Sequence, residues 1–250
     1  MKIHLYIMSK DLKLKFYERK TAMDEIIKEL YYMCQDNDFS VIRAEELINE
    51  IDVNEPFNDP RWYKSLTTFL SQACMHTNLK MAKMLLENGA DPNYVLYADR
   101  PGWHENPFWD LQYNVYGDEF YEESDENKKI ADAADEDNLE IAKLCLEHGA
   151  NPCLKLEGED LFSYVLYAVV EDDDDFRLLE YRSRFLILLI AYGGKNEYYK
   201  PQILKPFDKN NMKQYEFVRF SGSRYSLVSV DEIVDENYEV VARIPDIEGE

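Results

Sequence analysis

The chain is poor in the residues from which most catalytic and metal sites are built. Its histidines are His4, His76, His104 and His148, and its cysteines are Cys34, Cys74, Cys145 and Cys153. It contains no His-Glu-x-x-His, no paired Cys-x-x-Cys and no glycine-rich phosphate loop. Neither the usual zinc-hydrolase geometry nor a nucleotide cradle is therefore written into it. Four widely spaced cysteines are too few for the disulfide framework of a small secreted domain. Long apolar runs are also missing. The stretch 185–192 has the length of a core helix and falls well short of the ~20 residues that cross a bilayer. The apolar stretch 5–8 is too short for the core of a secretory signal. We expect a cytoplasmic protein with no membrane partner. Basic residues are outnumbered, 28 against 50 acidic, for a net charge of −22. Such a surface repels phosphate, so nucleic acid is not an expected partner. It attracts basic proteins and speeds their association.

What is present is apolar material enough for a core. Hydrophobic residues make up 46% of the 250-residue chain and aromatic residues 14%, which excludes wholesale disorder. The charge is unevenly spread. Residues 1–20 carry six basic and two acidic side chains, for +4. Residues 21–60 carry two basic and eleven acidic, for −9, and residues 98–160 five and eighteen, for −13. Residues 221–250 sum to −6 from two basic and eight acidic. The basic N-terminal arm, residues 1–24, reads either as a solvated segment or as a cap that docks on acidic surface of its own chain.

Self-comparison finds an internal repeat. Asn78-Leu-Lys-Met-Ala-Lys-Met-Leu-Leu-Glu-Asn-Gly-Ala-Asp-Pro-Asn93 aligns without gaps with Asn138-Leu-Glu-Ile-Ala-Lys-Leu-Cys-Leu-Glu-His-Gly-Ala-Asn-Pro-Cys153. Apolar residues recur at helical spacing in both. Each copy closes at a glycine, where helices commonly end in the left-handed conformation, and a proline soon after forbids continuation. A third copy runs from Phe185 to Gly194. A fourth, from Ala44 to Asn54, lacks the closing glycine. Upstream partner helices are expected near 29–35, 68–74, 130–134 and 163–169. Cys34, Ala73, Ala133 and Ala168 fall in one register there, where small residues let paired helices approach.

This helix–turn–helix with its Gly-Ala-Asp-x-Asn turn resembles the ankyrin repeat over about residues 25–196. The resemblance implies a mainly α fold, an ankyrin-type helical-repeat solenoid of about four repeats, near 25–54, 65–93, 106–153 and 158–196. Two of them carry insertions. The family's Thr-Pro-Leu-His helix opening is poorly kept: Thr68-Phe69-Leu70-Ser71 has lost the Pro and the His. Asn106-Pro107-Phe108-Trp109 keeps the Pro but lies well before Ile130, so repeat three opens either at Asn106 or near Lys128. We expect helices near 68–76, 79–88, 128–136 and 139–148. Residues 197–250 read differently, as a cap with a β-hairpin at 215–220 and 225–230 and a further strand at 238–244. Residues 3–7 form another candidate strand. A solenoid needs its end core covered, and this segment serves either as that cover or as a binding element.

Two clusters have a possible chemistry. Cys145, His148 and Cys153 could suggest a metal clip. However, Cys145 falls on a helix stripe, where a thiol behaves as a small hydrophobe, and structural zinc wants four ligands. The run Glu171–Asp175 lacks the spaced ligands of a calcium loop. We therefore expect no metal, no cofactor and no enzyme activity. Binding is the expected role. Trp62, Trp103 and Trp109 fall between the helical stripes, accompanied by Tyr63, Tyr97, Phe108, Tyr113 and Tyr116. Nine acidic residues between 94 and 127, Glu119, Glu122 and Glu123 among them, face a single arginine, Arg100. In the family such inter-repeat segments form hairpin fingers beside the concave face that partners use. Trp and Tyr dominate binding hot spots. The resemblance implies a protein–protein interaction module, in the manner of an inhibitor, immunity or effector protein, and the charge implies a basic partner, held on the acidic, aromatic-rich concave face and the inter-repeat fingers. The alternatives are an enzyme with its site in the C-terminal segment or the large insertion, and a structural scaffold in a larger assembly.

Overall fold

The computed structural model describes residues 10–59, 66–97, 104–113, 125–156, 158–171, 176–195, 215–220, 224–229 and 238–243. The first helix, α1, is Lys10–Gln35, and α2 is Val41–Ile48. Most of the expected basic arm is therefore the opening of α1, while the candidate strand 3–7 lies outside the described residues. Ser40 caps α2, its hydroxyl accepting from Arg43 N. Arg43 pairs with Glu29 of α1 through Nε and Nη2, each at 2.8 Å. Both side chains are largely exposed, so the pair orients the helices more than it stabilises them.

The next hairpin is the best-formed. Helix α3 is Phe69–Met75 and α4 is Leu79–Glu87, against expectations of 68–76 and 79–88. Thr68 Oγ1 accepts from Ser71 N, and Asn78 Oδ1 accepts from Met81 N at 3.0 Å. Both are N-cap bonds that satisfy orphan donors of the first turn. Asn78 also reaches back to α1, its Nδ2 donating to Met33 O and Asp36 O. Gly89 closes α4 with φ +86°. Gly89 N donates to Leu86 O and Ala90 N to Leu85 O, the paired bonds of a Schellman turn. The same bonds recur at Gly149-Ala150 and Gly193-Gly194, so three copies of the repeat end in one geometry. The fourth, which lacks the glycine, ends in right-handed backbone at Asn49.

The third unit departs from expectation. Helix α5 is only Pro107–Asp110, followed by a 3-10 turn at Leu111–Tyr113, and α6 runs unbroken over Asp125–Glu147. The separate helices expected at 128–136 and 139–148 are one helix. Thr77 supplies the break between α3 and α4 by taking φ +51°. The aligned stretch Asp135-Glu136-Asp137 offers no comparable breaker and stays helical. It is α5 that packs on α3, as α3 packs on α1, while α6 packs on α4. Ala133, expected in the tight helix–helix register, is accordingly exposed, whereas Cys34, Ala73 and Ala168 are buried.

Helices α7 (Leu161–Glu171) and α8 (Phe176–Ala191) form the last hairpin, and α8 packs on α6. Gly194 sits against its core: a Cβ there would lie 2.6 Å from Phe162 Cδ2. The C-terminal strands Tyr215–Phe220, Arg224–Ser229 and Tyr238–Arg243 form a separate antiparallel sheet, with the first of them central. The strand at 238–243 contacts α7 and α8. One apolar core runs through the stack. Phe69, Leu85, Phe108, Ile141, Phe162 and Phe185 are all fully or almost fully buried, and Leu146 is 5% exposed.

Adjacent turns are stitched by a ladder of asparagines. Asn54 Nδ2 donates to Gly89 O at 2.9 Å, and its Oδ1 accepts from Asp91 N at 2.7 Å. Asn93 makes the same pair with Gly149 O at 2.9 Å and Asn151 N at 2.7 Å. In the next unit the position is Cys153, whose Sγ donates to Lys195 O at 3.5 Å. A thiol is a weaker donor than an amide and a poor acceptor, so the last rung is the weakest.

Candidate functional site

Three short antiparallel hairpins project between consecutive units. We number their strands β1 (Phe57–Asn58) with β2 (Leu66–Thr67), β3 (Leu96–Tyr97) with β4 (His104–Glu105), and β5 (Lys155–Leu156) with β6 (Glu159–Asp160). The C-terminal strands become β7, β8 and β9 in the order given above. Each hairpin follows a repeat turn and runs directly into the next helix: Thr68 follows β2 and caps α3, and Asn106 follows β4 and caps α5.

The hairpins are rooted in the core. Phe57 of β1 is 7% exposed and packs on Phe69, ring centroids 4.4 Å apart. Its neighbour Asp59 accepts from the Tyr31 hydroxyl of α1 at 3.1 Å. Leu156 of β5 is buried. The second finger is tied to the first: Thr67 Oγ1 of β2 donates to Glu105 Oε1 of β4 at 2.5 Å. Asn106 Nδ2 donates to Tyr94 O and Pro92 O, which pins the second finger to the turn before it.

The sequence-predicted contact residues separate into three groups. Tyr97, at the end of β3 opposite His104, is 68% exposed. Phe108 and Trp109 are corrected to the core, at 0% and 4% exposure. Phe108 packs on Phe185 and Trp109 on Tyr164, with centroids 5.8 Å apart in each case. The reason is the Asn106-Pro107 pair, an N-cap followed by a proline suited to the first helical position. It makes 107–110 a helix whose aromatics face α3 and the last hairpin. Trp62, Tyr63, Trp103, Tyr116, Glu119, Glu122 and Glu123 lie outside the described residues, and so does the side chain of Tyr113. Trp62 and Tyr63 belong to the segment joining β1 to β2, and Trp103 to the one joining β3 to β4.

Other exposed apolar side chains escaped the sequence reading. Tyr32 of α1, Met75 of α3 and Tyr167 of α7 are each about half exposed or more, and so is Leu66 of β2 at 45%. Each lies beside buried neighbours on a helix or strand, so composition gives no signal for them. The three residues of the Cys145–His148–Cys153 cluster, for which no metal is expected, have separate surroundings. Cys145 is buried, His148 is exposed, and Cys153 faces Lys195. No metal-binding group of three His, Cys or carboxylate side chains occurs among the described residues. No described helix is long and apolar enough to cross a membrane.

The electrostatics beneath the second finger are unusual. Burial, and secondarily the Glu105 charge, push the Asp110 carboxyl up to about 7, although the Asn106 N–H that it accepts works the other way. Burial also raises the thiols of Cys34 and Cys74 above their ordinary range, which keeps both protonated and inert.

Residues 68–93 match the family model for the ankyrin repeat. They span the Thr68 cap, α3, α4, the Gly89 turn and Asn93 of the ladder. No curated protein and no solved structure matches the chain.

Proposed function

The chain carries an ankyrin repeat, and from that premise we propose that it captures a basic protein on its row of hairpin fingers. Ankyrin repeats are in general protein–protein interaction modules. In this reading the hairpins α1–α2, α3–α4, α5–α6 and α7–α8 are four stacked repeats, with the insertion of the third lying between the 3-10 turn and α6. Tyr97, Trp62, Tyr63 and Trp103 supply apolar anchors. Glu119, Glu122 and Glu123 supply long-range attraction. The observation that carries the reading is the exposure of Tyr97 on a finger whose base is fixed in the core. A large aromatic held out on a rigid support binds with little loss of side-chain freedom.

The net charge of −22 supports a basic partner. Attraction of this kind acts mainly on the association rate and weakens as salt is added. Coverage of a catalytic or nucleic-acid-binding face on that partner would make the chain an inhibitor, immunity or effector protein. Affinity capture from the source cell tests the reading. The wild-type chain should retain basic proteins that elute as salt rises, and Tyr97→Ala with Trp103→Ala should lose them. Retention of acidic proteins, or of the same set by the double variant, would sink it.

A further inference from the structure

The C-terminal sheet has two edges of different character. Its strand order is β8-β7-β9, so β8 and β9 are the edge strands. Strand β9 contacts α7 and α8, and its pairing with β7 shifts register between Phe217 and Val218. A break in register and a cover of helices are two ways in which sheet edges are kept from pairing further. Strand β8 pairs with β7 through all six of its residues, from Arg224 opposite Phe220 to Ser229 opposite Tyr215, without a shift. No described strand pairs with its other side. In an antiparallel ladder every second residue of such a strand turns its N–H and C=O outward. The sequence does little to deter a further strand, since Tyr225-Ser-Leu-Val-Ser229 has neither a proline nor a charge. We propose that β8 pairs antiparallel with β8 of a second copy of the chain about a two-fold axis, which joins two three-stranded sheets into one continuous sheet.

The charge distribution favours a second copy as the occupant. A chain of net charge −22 repels its like over most of its surface. Residues 200–229 reverse that sign, with six basic and two acidic side chains, for +4. The sign changes back directly after β8, where Asp231, Glu232, Asp235 and Glu236 follow. The strand therefore starts at a positive residue, Arg224, and leads into a negative pair, Asp231 and Glu232. Antiparallel pairing lays the start of one strand against the finish of the other, so opposite signs meet at both ends. Parallel pairing would set Arg224 against Arg224 and the acidic pair against itself. Charge thus selects the two-fold arrangement, and an isologous contact of this kind closes at two copies. A basic protein would meet like charge along residues 200–229, so this edge is separate from the capture assigned to the fingers and does not depend on it.

Sedimentation equilibrium of the full chain tests the proposal. The mean mass should climb from 29.6 kDa towards twice that value as concentration rises from about 1 µM to about 1 mM, the weak range of a small contact. Hydrogen exchange at the two ends of that range should show the outward amides of β8 protected only at the upper end. Ser226→Lys sets a charge in the middle of the edge strand of both copies and should move association about tenfold or more to higher concentration. Arg224→Glu should weaken association as well, and adding Asp231→Lys with Glu232→Lys should restore it. Circular dichroism checks that each variant folds, and if Ser226→Lys does not, the charge exchange decides. A mass of 29.6 kDa throughout would overturn the proposal. So would outward amides already protected at the dilute end, which would mean that the chain covers β8 itself. A dimer indifferent to Ser226→Lys, or a charge exchange without recovery, would place the contact elsewhere and overturn it equally.

Discussion

Asn93 offers the cleanest perturbation of the stack. Its carboxamide joins its own turn to the next one, donating to Gly149 O at 2.9 Å and accepting from Asn151 N at 2.7 Å, 56 and 58 residues on in sequence. Neither bond touches the core, so Asn93→Ala deletes the rung without opening a cavity. Each bond is worth about 0.5–1.5 kcal/mol net. The site is open to water, which can satisfy the freed groups, so the pair should contribute about 1–2 kcal/mol, in the lower part of the summed range. For a chain of this size that is roughly 2–8 °C in Tm. The loss falls on an interface between neighbouring units, and in a linear array the interface terms hold unfolding together. Urea unfolding followed by circular dichroism and by fluorescence should therefore show a lower midpoint and a wider gap between the two probes. Asn54→Ala removes the equivalent rung to Gly89 and Asp91 and should behave alike. Cys153→Asn offers the opposite test, because it restores the amide where a thiol now makes a 3.5 Å contact with Lys195 O. It should gain about 0.5–1 kcal/mol. The ladder has no energetic role if Asn93→Ala unfolds at the wild-type midpoint and Cys153→Asn gains nothing.

Other predictions follow from the core and its charges. Leu85 is fully buried, and Leu85→Ala should cost about 2–5 kcal/mol in denaturant unfolding. Trp109→Ala should cost about 3–5 kcal/mol, since it empties the contact with Tyr164, whereas Trp103→Ala should leave circular dichroism and midpoint unchanged. The Asp110 carboxyl is raised from 3.8 to about 7 in the folded chain, so the folded state binds its proton more tightly than the unfolded one. Its contribution is complete below about pH 4 and is lost as pH rises towards 7, a span worth a few kcal/mol at most. Asp110→Asn should therefore be the more stable protein at about pH 8 and should flatten the stability profile between 4 and 7, as measured by urea titration at a series of pH values.

How far the fold could be read in the sequence varied with its punctuation. Helices α3 and α4 were legible to within a residue or two because Thr68 and Asn78 cap them, Thr77 breaks between them and Gly89 stops the second. The continuous α6 was not legible. Its periodicity and its likeness to α4 suggested a break before Leu139, but Asp135-Glu136-Asp137 can remain helical and nothing forces a turn. Trp109 was misplaced for a related reason. Its Asn106-Pro107 opening was noticed, yet four residues are too few for helical periodicity to show. The finger strands are two residues each, below what alternation can reveal, and they came only with the family resemblance. The Thr67–Glu105 bond had no signal at all, since its two members lie 38 residues apart and meet only once β2 and β4 are placed side by side.

The central claim is that the fingers, rather than the helical core, bind a partner. Its most direct test is the affinity of Tyr97→Ala/Trp103→Ala for a captured partner, by titration calorimetry, with circular dichroism as the control for folding. The account predicts a loss of about 2 kcal/mol or more, close to thirtyfold in Kd, with an unchanged spectrum. An unchanged Kd with the fold intact would contradict it and place the interface elsewhere.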